Sequence, residues 1–136
     1  MDLEKLKEYR QHCSRFTKKI GISVVEVRPG YSRVCKTICE DDLNPIGRAH
    51  GGVYFTLADH AAGTAMATCG YVAVTVNATY NFFRSADLGE TVFAEAQEIK
   101  NGKTVCVFEV RVSNRAGTLL GSGTFTFFRL EEKIEL

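Results

Sequence analysis

The chain has 136 residues, a formal net charge of +1 and 24% charged residues. This length suits one domain that buries roughly two thirds of its unfolded surface. The near-zero charge and the lack of a Lys/Arg run do not favour a nucleic-acid-binding protein, and no apolar stretch is long enough to predict a transmembrane helix.

The five cysteines form an odd set with no CxxC pair, which is typical of reduced thiols in a cytoplasm. Cys35 and Cys39 stand four residues apart with no nearby histidine, so the spacing favours core packing over a metal site. The first residues are charged helix formers, unlike a secretion signal. We therefore expect a cytoplasmic protein without a bound metal.

The chain opens with an amphipathic pattern over residues 2–19, which predicts one N-terminal helix. Its apolar face would carry Leu3, Leu6, Tyr9, Cys13 and Phe16. Two short β-rich runs follow at residues 22–28 and 32–40, and the Pro29-Gly30 pair between them predicts a hairpin.

The next segment is almost wholly apolar or small and predicts a central helix over residues 51–68. A helix that is apolar nearly all round belongs inside a protein. Asp59 and His60 are its only titratable side chains apart from Tyr54. A carboxylate there must be paired, neutralised or used, because burying an isolated charge is unfavourable. His60 points about 100° away around the helix, which favours a structural or interfacial role.

Four long β runs complete the chain, at residues 72–84, 90–100, 104–113 and 118–130. The turns between them are short, so these strands must be antiparallel. Asn101-Gly102 is the strongest two-residue hairpin signal and predicts a type I′ turn. Alternation in the first run predicts one face with Val72, Val74, Val76, Ala78, Tyr80 and Phe82, and the opposite face with Thr75, Asn77, Thr79 and Asn81.

One apolar helix and one large sheet pack most simply when the sheet wraps around the helix. The sequence thus predicts a single α+β domain over residues 1–136, with an antiparallel sheet of about six strands around one long central helix and an added N-terminal helix.

The start of the central helix carries the clearest functional signal. The glycines Gly51 and Gly52 leave backbone N–H groups open to an acceptor, with the positive end of the helix dipole behind them. Gly51 and Asp59 are eight residues apart, which is about 12 Å along one helix. A carbonyl oxygen and the nucleophile attacking its carbon must lie within roughly 3 to 3.5 Å of one atom. Two antiparallel copies of the helix can meet this requirement, so if both groups act on one carbonyl, the protein should be at least a dimer.

The order of these elements resembles the hotdog-fold acyl-CoA thioesterases, most closely the phenylacetic-acid-degradation (PaaI) type. The resemblance rests on Asn-Pro-x-Gly-x-x-His-Gly-Gly at residues 44–52, followed by the helical aspartate, and it covers about residues 22–130. Further matches are Thr75, Phe83-Arg84-Ser85-Ala86, Leu88-Gly89-Glu90 and Gly121-Ser122-Gly123-Thr124-Phe125. Ser85 stands where members of the family often have proline.

The resemblance implies hydrolysis of an acyl- or aryl-acyl-CoA thioester to a free acid and CoA, with no metal or redox cofactor. Asp59 matches the nucleophile or general base, and Gly51 matches the backbone donor to the thioester carbonyl. Asn44, His50 and Thr75 match residues that place the water or the thioester. The implied site lies between subunits of a homo-oligomer, a dimer or a tetramer formed by two dimers.

The resemblance also implies contacts to substrate and CoA from Gly52, from the strand end Arg84-Ser85 and from the hairpin Lys100-Asn101-Gly102-Lys103. Basic side chains there would meet the CoA phosphates. The acyl group and the way in which dimers pair stay open.

Simpler interpretations stay open for several of these residues. His50 would simply cap the helix, Asn44 would be a turn residue before Pro45, and Thr75 would be one rung of a polar ladder. Two other functions fit the same fold: hydration or dehydration of enoyl thioesters, for which the chain lacks a His-x-Asp near Asn44, and a non-catalytic acyl-CoA-binding module.

Overall fold

The structure, a computed structural model, describes residues 1–136 and contains three α-helices and six strands. The helices are α1 (Leu3–His12), α2 (Arg15–Lys19) and α3 (Gly51–Ala67). The strands are β1 (Ser23–Arg28), β2 (Tyr31–Thr37), β3 (Tyr71–Phe82), β4 (Thr91–Asn101), β5 (Val105–Asn114) and β6 (Leu119–Lys133). A short 3-10 helix, Glu40–Asp42, precedes the turn that leads into α3.

All six strands form one antiparallel sheet in the order β1-β2-β4-β5-β6-β3. The sheet packs along α3, which contacts every strand, and this confirms the predicted α+β hotdog architecture. β1 and β3 are the edge strands. None of the helices is long and apolar enough to span a bilayer.

The core lies between α3 and the concave face of the sheet. The helix contributes Leu57 and a set of alanines that are fully buried, and small side chains let the sheet approach the helix closely. The opposing side chains come from alternate positions, as in β5, where Cys106, Phe108, Val110 and Val112 all point inward and are buried.

The N-terminal segment forms two helices where one was expected. Ser14 interrupts the helical pattern, and its Oγ accepts a 3.3 Å hydrogen bond from the Thr17 N–H at the start of α2. The predicted apolar face is wrong, since Tyr9 and Phe16 are 44% and 59% exposed and only Leu6 is buried. Polar side chains hold α1 in place instead, so the helix turns a different face to the domain.

A β-bulge divides β3 into two stretches. The pairing with β6 shifts between Thr75 and Asn77, which leaves Val76 as the extra residue. The bulge moves the inward-facing positions by one, so Thr75 faces α3 while Tyr80, further along, also packs against the core. The predicted single apolar face is therefore wrong, and Val74 and Val76 are 47% and 58% exposed.

The hairpin between β4 and β5 does not contain the expected type I′ turn. That turn requires a positive φ at both central residues, but no non-glycine residue has one and Gly102 is not among the glycines that do. Gly102 donates a 3.1 Å hydrogen bond to the Val105 carbonyl, and a Cβ on Gly102 would lie 2.3 Å from that oxygen. Glycine is needed here for close approach of two backbones.

The predicted hairpin at Pro29-Gly30 is confirmed, and Gly30 has the positive φ of 70° that its turn requires. The expected core position of Cys39 is wrong. Cys39 is exposed, because it lies at the start of the 3-10 helix, where it bonds the side chain of Asp42.

Candidate active site

A buried ion pair fixes the segment before α3. Lys36 Nζ lies 3.0 Å from Asp42 Oδ2, and both side chains are buried. Burial alone would raise the pKa of Asp42, but hydrogen bonds from the Cys39 backbone N–H and from Lys36 outweigh it and lower that pKa. The Asp42 carbonyl accepts a 2.8 Å hydrogen bond from the His50 N–H. The ion pair on the sheet thus sets the position of the helix start.

Asn44 shapes the turn between Asp42 and the helix. Its Oδ1 accepts hydrogen bonds from the backbone N–H groups of Ile46 (3.1 Å) and Arg48 (3.0 Å). The Arg48 side chain pairs with Asp87 in the loop after β3. The side-chain oxygen of Asn44 is therefore occupied within the turn, and its amide Nδ2 remains as the group that can meet a substrate or a water.

His50 is the N-cap of α3. Its Nδ1 accepts a 2.8 Å hydrogen bond from the Gly52 N–H, so the Gly52 amide is occupied by the cap. The amide of Gly51, at the first position of the helix, has no acceptor within the chain. It points a free donor outward where the helix dipole favours negative charge.

A groove of about 320 Å³ begins at this amide. Phe82 and Phe83, at the end of β3, line it together with Arg84 and Ser85. A Cβ at Gly51 would lie 3.2 Å from the Phe82 ring, so glycine keeps the ring close to the helix end. The structure thus brings the Arg84-Ser85 strand end next to the Gly51 donor.

Asp59 lies two turns further along α3 and is partly exposed. Thr75 Oγ1 donates a 2.8 Å hydrogen bond to its Oδ1 across the gap between α3 and β3. The pair is separated from Gly51 by about 12 Å of helix. Within one chain, the candidate acid Asp59 and the candidate donor Gly51 are therefore too far apart to contact the same carbonyl group.

His60, the next residue, is buried and contacts α1. Arg10 Nη2 lies 3.4 Å from His60 Nδ1, and a guanidinium can only donate, so His60 accepts as a neutral imidazole. Burial, followed by the nearby positive charge of Arg10, lowers the pKa of His60 to about 4. His60 thus serves the packing of α1 on α3, as the sequence favoured.

Arg10 is the residue that sequence reasoning missed. Its Nε also donates a 3.1 Å hydrogen bond to Thr64 Oγ1 on α3. The available signal was its position four residues after Leu6, the buried residue of α1, because that spacing puts both on the same helix face.

The hairpin Lys100–Lys103 lies away from the groove within one chain. The backbone N–H of Arg84 donates a hydrogen bond to the Leu120 carbonyl, near the start of β6. The hairpin lies beside a later part of β6, the part that pairs with Thr75. The cross-strand row from the hairpin reads Asn101, Cys106, Phe127 and Thr75. Along the strand direction, the hairpin therefore lies beside Thr75 and Asp59, and not beside the Gly51 donor. No group of three or more His, Cys, Asp or Glu side chains is arranged to hold a metal ion.

Residues 46–120, more than half of the chain, match the model of the thioesterase superfamily. Together with the hotdog architecture, this match shows that the chain belongs to that superfamily. Acyl-coenzyme A thioesterase PaaI of Escherichia coli is 33% identical over 98 residues, which are 72% of this chain and 70% of that protein.

The fold of this chain is also similar to those of solved thioesterase structures. An asparagine-to-aspartate variant of phenylacetic acid degradation protein PaaI from Thermus thermophilus has a TM-score of 0.83 and 32% identity, covering 86% of this chain and 100% of that one. A hypothetical thioesterase from Streptococcus pneumoniae TIGR4, solved with coenzyme A, has a TM-score of 0.80 and 27% identity, covering 84% and 89%.

Two further structures of the S. pneumoniae protein carry alanine in place of an aspartate and in place of a threonine that follows it by 16 positions. Asp59 and Thr75 of this chain are also 16 positions apart.

Proposed function

We propose that the protein hydrolyses acyl-CoA thioesters to a carboxylic acid and free CoA, in sites shared by two subunits. One observation carries the proposal: α3 presents a free amide donor at Gly51 and, two turns later, a carboxylate held by Thr75 at 2.8 Å. These are the two groups that attack on a thioester carbonyl requires.

The assembly follows from the distance between these groups. About 12 Å of helix separates them, so the Gly51 donor of one subunit must act with Asp59 of the partner subunit. The free edge of β3 supports pairing with a second copy, since this long edge strand exposes Val74 and Val76. We further propose that two such dimers form a tetramer.

The chemistry begins with the thioester carbonyl oxygen on the Gly51 N–H, where the helix dipole stabilises the negative charge that develops. Asp59 of the partner subunit then attacks the carbonyl carbon to give a mixed anhydride, or deprotonates a water that attacks it. The C–S bond breaks and CoA leaves as a thiolate. Water supplies the second oxygen of the carboxylic acid in either route.

The hydrogen bonds of the site assign the supporting roles. Thr75 fixes one carboxylate oxygen of Asp59 and leaves the other for the reaction. His50 holds the helix start through its cap, so it positions the donor rather than protonating the leaving group. The free amide Nδ2 of Asn44 orients the water or the thioester.

The nucleotide of CoA would meet basic groups from both subunits. Arg84 and Ser85 line the groove beside Gly51, while Lys100 and Lys103 lie on the exposed hairpin at the level of Asp59. Antiparallel pairing of two copies supports a path that joins the groove of one subunit to the hairpin of the other. The similarity to phenylacetic acid degradation protein PaaI and to acyl-coenzyme A thioesterases leaves both acyl and aryl-acyl groups open, and the five free cysteines support a cytoplasmic location.

Thiol release from a panel of aryl- and alkyl-CoA thioesters tests the proposal, with Asp59→Asn as the decisive variant. The amide keeps the shape of the carboxylate but loses its basicity and nucleophilicity, so turnover should fall by several orders of magnitude while the fold and the assembly persist. Turnover within about threefold of the parent would remove Asp59 from the chemistry.

A further inference from the structure

A second cavity lies beyond the Asp59–Thr75 pair, between the parts of α3 and β3 that carry Gly63 and Ala73. It has a volume of about 130 Å³ and is bordered by α1, the second half of α3, the start of β3 and the end of β6. Its lining is mostly apolar and includes Gly63, Met66, Ala73 and Phe127. A cavity of about 150 Å³ is known to hold one benzene molecule, so this space suits one ring or a short carbon chain.

Two walls of this cavity are formed by α3 and β3, the same elements that carry Asp59 and Thr75. Gly63 follows Asp59 by one turn on the same face of α3, about 6 Å along the helix axis. Ala73 precedes Thr75 by two residues on the same face of β3, about 7 Å along the strand. An acyl group whose carbonyl lies at Asp59 and which follows these two surfaces would reach the cavity.

One charged group faces this apolar space. Arg10 is among its lining residues, and a Cβ on Gly63 would lie 3.2 Å from Arg10 Nη2, so the guanidinium lies over Gly63. Its two hydrogen-bond partners, Thr64 Oγ1 and His60 Nδ1, are both uncharged. A guanidinium has five N–H donors, so these contacts leave donors free.

Arg10 has no carboxylate partner. The chain has four ion pairs and none includes Arg10, whereas the buried Lys36 has Asp42 at 3.0 Å. Burial lowers the pKa of the Arg10 guanidinium. The negative charge of Asp59 acts in the opposite direction but makes no ion-pair contact with Arg10, so it does not cancel the effect of burial. Arg10 is partly buried, a cation partly withdrawn from water is stabilised by a counter-ion, and a planar guanidinium binds a carboxylate with two parallel hydrogen bonds.

We propose that this cavity receives the far end of the acyl group and that Arg10 makes the enzyme prefer short acyl groups ending in a carboxylate. The carboxylate of the substrate supplies the counter-ion that the chain lacks, and its methylene groups fill the apolar lining. This inference rests on the proposed function, because it assigns the substrate of the same site.

The test compares glutaryl-CoA with pentanoyl-CoA, which have acyl chains of five carbons and differ only in a terminal carboxylate or methyl group. For the parent, kcat/KM for glutaryl-CoA should exceed that for pentanoyl-CoA by about tenfold or more. Arg10→Met should bring this ratio close to or below one. Arg10→Lys should keep part of the preference, since it retains the charge but not the planar fork.

Lys5→Met is the matched control, because it removes one positive charge from an exposed position on the same helix and should keep the ratio. Calorimetric titration of both thioesters into the Asp59→Asn protein gives the preference as a ratio of dissociation constants, independent of turnover. An equal response to both thioesters in the parent, or an unchanged ratio in Arg10→Met, would overturn the role of Arg10. Hydrolysis of pentanoyl-CoA that depends on Asp59 would then leave the thioesterase proposal standing, whereas no hydrolysis of any acyl-CoA would overturn both.

Discussion

Thr75 donates a 2.8 Å hydrogen bond to Oδ1 of Asp59 from the position just before the bulge of β3. The bond joins the central helix to the edge strand and occupies one of the two carboxylate oxygens. Because the bulge brings Thr75 to the inner face of the strand, backbone pairing with β6 determines how the acid is oriented.

Loss of this hydrogen bond should lower turnover more than it weakens substrate binding. Thr75→Ala leaves Asp59 free to rotate, and small misplacement of a reacting group is expected to cut kcat by about 10- to 100-fold. Thr75→Ser keeps a hydroxyl at the same position and should retain most of the activity. Steady-state kinetics on the best thioester measure both. Equal kcat for Thr75→Ala and the parent would show that the bond serves packing alone.

Two inactive proteins should restore activity when their subunits exchange. Asp59→Asn lacks the acid, and Asn44→Ala loses the side chain that orders the turn before the Gly51 donor. A hybrid dimer contains one site in which both groups are intact, so a mixture should recover part of the parent activity. Light scattering and mass spectrometry give the assembly and the extent of exchange. An active monomer, or proven exchange without recovery, contradicts a shared site.

Lys103→Glu should raise KM for acyl-CoA more than it lowers kcat. Contacts to the CoA phosphates are alike in ground and transition states, so their loss appears as weaker binding. Lys103 is exposed, and the effect should shrink as salt rises because exposed charges are screened. Lys19→Glu, an exposed change on α2, serves as the control. If a short thioester without the nucleotide loses activity equally, the hairpin does not contact CoA.

His60 should make stability depend on pH in acid. Burial lowers its pKa from 6.5 to about 4, so the neutral form is favoured in the folded protein. Its contribution is therefore complete above pH 6.5, is lost progressively as the pH falls from 6.5 to 4, and levels off below 4, with a total of about 3 kcal/mol.

His60→Asn removes the titration while keeping an acceptor for Arg10, so its free energy of unfolding should change less over this range. Urea unfolding at pH 7 and pH 4 measures the difference between the two proteins. Equal losses in both would assign the acid sensitivity to other groups.

The sequence suffices to predict the central helix, the six strands and their antiparallel arrangement, although the N-terminal segment forms two helices where one was predicted. A segment that is almost wholly apolar or small, such as residues 53–68, favours a buried helix, and alternating runs joined by tight turns favour an antiparallel sheet. The free donor at Gly51 also follows from the sequence, since the first amides of any helix lack intrahelical partners.

Features that depend on pairing or docking could not be predicted in this way. Thr75 and Tyr80 both point inward because of a bulge in the pairing of β3 with β6. The alternation of residues along β3 alone does not predict that bulge. The need for Gly102 comes from the Val105 carbonyl on the opposite strand. Arg10 reaches His60 and Thr64 because α1 ends at His12 and docks on α3 through polar contacts.

The extra residue at Val76 makes the length of β3 a constraint on the site. It lets β3 present Thr75 to the acid and Tyr80 to the aromatic core, two positions whose odd spacing an uninterrupted strand would send to opposite sides. Deletion of Val76 would restore even pairing with β6, yet one of the two side chains would then turn to solvent. Point substitutions cannot make that exchange. The number of residues between Thr75 and Tyr80 is therefore as much a requirement of the site as the two side chains themselves.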